Sequence, residues 1–212
     1  LAWAFRRAAF IFAAGDRLRE FAVRLGASPE RVKTVPNGVD SSVFYPRDRA
    51  QARRELGMAE DQTIIAAAGH LIALKGFDRL IRAVERLDRL DRRVHLWLAG
   101  SGGMEREFEA RLRALPGELG MAERVHICGR LEQGGLAGLM SAADVFCLAS
   151  SREGWPNVVQ EAMSCGTPVV ATDVGAAPQM VRDGINGLLT PAGDVEALAE
   201  ALRRHGQSHE VA

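Results

Sequence analysis

The sequence carries no net charge: its 212 residues hold 27 Lys plus Arg and 27 Asp plus Glu. No global field therefore draws it to nucleic acid or to an acidic membrane surface, and any anion site must be built locally. Cysteine is scarce: Cys128, Cys147 and Cys165 stand far apart among apolar neighbours. Zinc ligation wants closely spaced pairs, and disulfide frameworks want even counts in short secreted chains. The three therefore read as buried, reduced thiols of a cytosolic protein. Long apolar runs are missing too. The run AAFIFAA (8–14) is far too short to span a bilayer, and no small-residue cleavage site supports a signal peptide.

Familiar catalytic signatures are also absent. GSGGME (100–105) begins like a dinucleotide loop but has Glu105 where the third glycine belongs. GHLIALKG contains a Lys without the GK[ST] ending of a triphosphate loop. There is no GxSxG elbow, no HExxH and no His–carboxylate triad at helical spacing. NAD-dependent Rossmann enzymes and P-loop kinases drop out, and the sequence offers no metal site. Internal repeats and low-complexity segments are lacking.

What remains is an ordinary globular composition, 47% hydrophobic and 25% charged, at a length suited to one large domain or one domain plus a fragment of another. From Thr63 onward short apolar runs alternate with amphipathic stretches. Strands are expected at 63–69, 94–100, 124–129, 144–150, 168–173 and 185–190. Helices are expected from Phe77 to Leu90, from Met104 to Leu115 (ended by Pro116 and Gly117), from Leu136 to Ala143, from Val158 to Ser164, and from an Asp194 cap to His205. Strand, helix, strand at this spacing means an α/β fold: a Rossmann-like parallel sheet with helices on both faces. Ahead of it, AAFIFAA and Asp16 to Leu25 read as a strand and a helix, and SPERVKTVPNGVDSSVFYP as a linker with turns.

In such sheets ligands sit outside the carboxyl ends of the strands. SREGWPNVVQEAM (151–163) follows the fourth of these strands and places Glu153 and Glu161 on either side of a bend. One reading is structural: Asn157 caps the helix, Gln160 completes a capping box, and the acids are a dipole complement and a solvated loop residue. The other uses the same bend as an anion site. Free amides at the helix start receive a diphosphate, Gly154 admits the ligand, Pro156 sets the turn, and each carboxylate takes a sugar diol. Lys75, after the first strand of the large sheet, supplies a cation or is a surface lysine. His70 ends that strand, where it donates to a phosphate or finishes the strand.

These blocks resemble the retaining glycosyltransferases of family 4, which have the two-domain GT-B fold. The resemblance runs through GHLIALKGFDRLIRAV, HLWLAGSGG, RVHICGR, AADVFCLASSREGWPNVVQEAMSCGTPVVATDVGAAPQMV and INGLL, with VPNGVDSSVF similar to the entry into the donor-binding domain. It implies that residues 1–31 are the remnant of an N-terminal acceptor domain whose start lies upstream, 32–42 an interdomain linker, 43–205 the C-terminal nucleotide-sugar domain and 206–212 a frayed tail. Glu161 would hold the ribose and Glu153 the donor hexose. Gly154, Trp155, Pro156, Asn157 and Val158 would carry the amides for phosphate and sugar, and Lys75 would neutralise the leaving diphosphate. Gly69 with His70, and Arg130 near the nucleobase, would complete the donor site, while Pro36, Asn37 and Gly38 would line the hinge. Many members carry Arg where this chain has His70.

The activity so implied is metal-independent transfer of a hexose, with retention, from a UDP- or GDP-sugar to a carbohydrate or lipid-linked hydroxyl, with no cofactor. The implied setting is the cytoplasm, with peripheral association at the cytoplasmic face of the inner membrane as a further expectation. A sugar-nucleotide epimerase and a non-catalytic sugar-nucleotide module are the alternatives.

Overall fold

Two parallel sheets organise the computed structural model of the chain, which describes residues 2–89, 93–103 and 105–207. The first 34 residues form α1 (Ala2–Arg7), β1 (Ile11–Ala13), α2 (Asp16–Arg24) and β2 (Val32–Thr34). β1 and β2 pair in parallel, Ile11 opposite Val32. The stretch expected as an interdomain linker, 32–42, thus opens with a short strand. Val32 closes a small core with Ala13, Ala22 and Ala27, and that burial overrides the turn-forming composition downstream.

The rest of the chain adds α3 (Arg49–Leu56), β3 (Thr63–Ala68), α4 (Phe77–Asp88), β4 (Val94–Ala99), α5 (Arg106–Glu118) and β5 (Val125–Gly129). It continues with α6 (Gln133–Ala142), β6 (Val145–Leu148), α7 (Asn157–Ser164), β7 (Val169–Thr172), α8 (Ala177–Met180), β8 (Gly187–Thr190) and α9 (Val195–Gln207). The six strands β3 to β8 make one all-parallel sheet in the order β5-β4-β3-β6-β7-β8.

The expected strands all form, each trimmed by a residue or more. Helix ends moved further. α5 does not stop at Pro116 but runs through it to Glu118. Proline there forfeits one i→i−4 hydrogen bond, but the Pro116 carbonyl accepts from Met121 N at 2.7 Å while Leu115 and Met121 bury beneath it. α6 begins three residues earlier than expected. Asp194 caps α9 as expected, its carboxylate accepting from Ala197 N at 2.9 Å. α9 runs to Gln207, so it takes in the first two residues of the expected tail; the remainder, 208–212, lies outside the described residues, as do Leu90 and Met104.

Alternate residues of each strand feed two cores, which explains the near-continuous apolar runs. Ile65, Ala67, Leu96, Leu98 and Cys147 meet α4, α5 and α9 on one face. Ile64, Ala66, Ala68, Phe146 and Leu148 meet α3, α6, α7 and α8 on the other. Complete burial holds the Cys147 thiol far above its ordinary pKa, as suits an inert core cysteine.

α3, unforeseen from the sequence, is tied on by charge. Asp144, at the amino end of β6, accepts from Arg53 at 2.7 Å, Arg49 at 2.9 Å and Ile64 N at 2.7 Å. Buried Arg53 also donates to the carbonyls of Ala142, Glu60 and Gln62. Asp144→Ala should strand that guanidinium and cost about 2–4 kcal/mol in denaturant unfolding. A loss near zero would show that α3 packs without the carboxylate.

Candidate functional site

The sheet winds outward from β3 in both directions, so the chain segments leaving β3 and β6 diverge at adjacent carboxyl ends. Here the predicted groups gather. After β3 a short 3-10 turn, Ala73–Lys75, ends at Gly76 in the left-handed region (φ 67°). A Cβ on Gly76 would lie 2.1 Å from the Ala149 carbonyl oxygen, so only glycine lets this turn press against the end of β6. Ser151 seals the contact, its N–H and hydroxyl both donating to the Leu74 carbonyl at 2.8 and 3.2 Å.

Lys75 is thereby delivered to Glu153. Its Nζ lies 2.6 Å from Glu153 Oε1, and the Ser150 hydroxyl donates to the same oxygen at 2.7 Å. The pair is largely shielded, the side chains 19% and 11% exposed. Gly175 (φ 54°) supports the Glu153 loop from below: a Cβ there would meet the Glu153 carbonyl at 2.3 Å, and Ala176 N donates to the Gly154 carbonyl at 3.0 Å.

The start of α7 differs from the expected capping box. Asn157 is the first helical residue rather than the cap, and no side chain caps the helix. Gln160 is taken instead by the Trp155 indole N–H at 2.7 Å, and Asn157 accepts from Asn37 at 3.0 Å. With its usual side-chain acceptors engaged elsewhere, the helix start keeps amides and partial positive charge for an outside anion. It borders a cleft of about 380 Å³ lined by Gly69, His70, Ser101, Arg130, Leu131 and Val158, among others. Four predicted residues thus share one cavity, with His70 and Arg130 exposed at its wall. A wider depression of about 580 Å³ opens at the amino ends of β7 and β8, and none of the predicted residues lines it.

The first segment reaches this region too. Arg17 donates to Asp173 at 2.8 Å, and Gln179 hydrogen-bonds Asp16. A Cβ on Gly154 would meet Leu18 at 3.3 Å, and one on Gly15 would meet the Trp155 ring at 3.4 Å. Ser150, Gly175, Ser101 and Arg17 were not singled out from sequence. Only Ser150, three residues before Glu153 at a strand end, offered a local signal. Among the described residues no three His, Cys, Asp or Glu side chains gather as a metal site, and no helix is long and apolar enough to cross a membrane.

Half-buried Glu161 has its pKa raised by desolvation. A folded-state pKa above the unfolded value means that the protonated form favours folding; this stability is present in acid and lost as pH rises through the raised value. Glu161→Gln should therefore raise the melting temperature near about pH 7, with the gain fading near about pH 4. A uniform shift at both pH values would show that packing, not charge, sets the effect.

The description Glycosyl transferases group 1 matches residues 48–209. The D-inositol 3-phosphate glycosyltransferase of Kribbella flavida is 37% identical over 192 residues, covering 88% of this chain and 45% of that protein. Its namesake from Saccharomonospora viridis is 40% identical over 192 residues, covering 87% and 44%. The chain spans less than half the length of these relatives. Among solved structures, HepE of Anabaena in complex with UDP-glucose superposes with a TM-score of 0.89 at 27% identity, over 98% of this chain and 56% of that one. With the family description matching most of its length and its parallel sheet covered by helices on both faces, this chain belongs to the glycosyl transferases group 1 family and has its GT-B, Rossmann-like fold.

Proposed function

We propose that the chain carries the donor site of a retaining, metal-independent glycosyltransferase of family 4, which moves a hexose from a nucleotide diphosphate sugar to an acceptor hydroxyl in glycan or glycolipid synthesis. The observation that supports it most is the convergence of Lys75, Glu153 and the uncapped start of α7 where the winding reverses. In this reading the helix amides and Lys75 take the diphosphate, and Glu161 accepts from the ribose hydroxyls. Glu153 accepts from the hexose beside the reacting carbon. As the bond to the diphosphate breaks, its charge builds toward fixed dipoles and an ammonium that need no reorganisation. The acceptor attacks from the departing group's own face, which gives retention.

UDP is the first nucleotide to try, because the HepE structures hold UDP and UDP-glucose. The relatives' name makes D-inositol 3-phosphate the first acceptor to try. Residues 1–31 would belong to the acceptor side, 32–42 to the hinge and 43–205 to the donor domain. Transfer needs the rest of that acceptor side, so this chain alone binds nucleotide and turns over slowly or not at all. The proposed setting is the cytoplasm, with lipid-linked acceptors met at the inner membrane's cytoplasmic face.

A thermal-shift screen of UDP, GDP and ADP, each with and without EDTA, tests the reading. One nucleotide at about 100 times its Kd should stabilise the chain by about 2.7 kcal/mol, whether or not EDTA is present. Lys75→Ala should remove most of that gain. Absence of any shift with all three nucleotides would end the proposal. His70→Arg should tighten nucleotide binding, because a guanidinium adds a planar, bidentate donor for phosphate. Identical affinities for both forms would take His70 out of the anion site.

A further inference from the structure

Glu153 Oε1 serves two donors at once, the Lys75 ammonium at 2.6 Å and the Ser150 hydroxyl at 2.7 Å. The two donors differ in freedom. Ser150 is 1% exposed and its carbonyl accepts from Thr172 Oγ1 at 2.7 Å, so its hydroxyl stays beside Glu153. Lys75 sits on a long stem laid across Gly69, whose Cβ would meet the stem carbons at 3.3 Å, and Gly69 borders the cleft. The ammonium can therefore leave Glu153 for a ligand in the cleft, whereas the hydroxyl cannot.

On the reading of this site as a donor site, we infer that the Lys75–Glu153 pair is a built-in competitor of free nucleoside diphosphate and makes the site select the intact sugar nucleotide over the spent one. A terminal phosphate that draws Lys75 away leaves a shielded carboxylate with, among the described residues, Ser150 as its remaining donor, and sets a second anion beside it. Removing one partner of a shielded ion pair is strongly unfavourable. A nucleotide diphosphate sugar draws on Lys75 too, but its hexose hydroxyls donate to Glu153 in compensation. The pair so weakens product more than substrate and favours product release. Ser150 sets the size of the effect, since it is the donor that stays. The two residues then have opposite signatures. Without the charge of Glu153 nothing holds Lys75 back, whereas without the hydroxyl of Ser150 the carboxylate depends on Lys75 alone.

Calorimetric titration of this chain with UDP and with UDP-glucose tests the inference in the wild type, Glu153→Gln and Ser150→Ala. Glu153→Gln should bind UDP about five- to tenfold tighter and UDP-glucose no tighter than wild type; Ser150→Ala should bind UDP about threefold weaker with UDP-glucose less affected. Equal shifts for both ligands, weaker UDP binding by Glu153→Gln, or shifts of the same sign in the two variants would overturn it. Glu153→Gln keeps the shape of the side chain, so it decides alone if Ser150→Ala melts below the assay temperature. Failure of the wild type to bind UDP, GDP or ADP would instead overturn the donor reading, and this inference with it.

Discussion

A parallel sheet wound in both directions from a central strand must separate a pair of neighbouring chain segments where they leave its carboxyl edge. That divergence, between β3 and β6, is the constraint on which the site depends. The turn after β3 brings Lys75, and the loop after β6 brings Ser150, Glu153 and the start of α7. Because both segments leave the same edge, they can be stitched together without either belonging to the sheet. Gly76 against Ala149, Ser151 against Leu74 and Gly175 against Glu153 are the stitches. Each is a backbone contact, so the charged side chains ride on a frame that holds its shape whether or not they change partners.

Stability and chemistry occupy opposite ends of that frame. The amino end of β6 is fixed by Asp144, which gathers two arginines and a backbone amide and joins α3 to the sheet. That anchor is fully satisfied. At the carboxyl end polar groups are left with work to do: the helix start has no side-chain cap, Glu161 sits half-buried with a raised pKa, and the flexible Lys75 is held across two loops by Glu153. A buried network that is complete holds a shape, and one that is short of partners invites a ligand.

The large sheet was legible because its strands are buried on both faces and so read as apolar runs, and Asp194 was legible because a capping carboxylate acts within three residues. Glu153, Glu161, Lys75 and His70 were legible as candidates from their places after strands, and Arg130 through the family resemblance. Where distant segments decide, the sequence misled. Asn157 and Gln160 have the spacing of a capping box, yet Asn37 and Trp155 claim their side chains. Val32–Thr34 lies among turn formers, yet β1 pairs with it. Pro116 reads as a stop, yet a buried last turn runs through it. Nothing local says that Lys75 and Glu153, 78 residues apart, touch.

The indole of Trp155 has a consequence of another kind. Its N–H is committed to Gln160 of α7, and its ring lies near Gly15 at the start of α2. One chromophore therefore stands where the loop of Glu153, the uncapped start of α7 and the leading segment all meet. Any rearrangement that pulls those three apart must change its surroundings, so the molecule carries a native optical reporter of its own assembly.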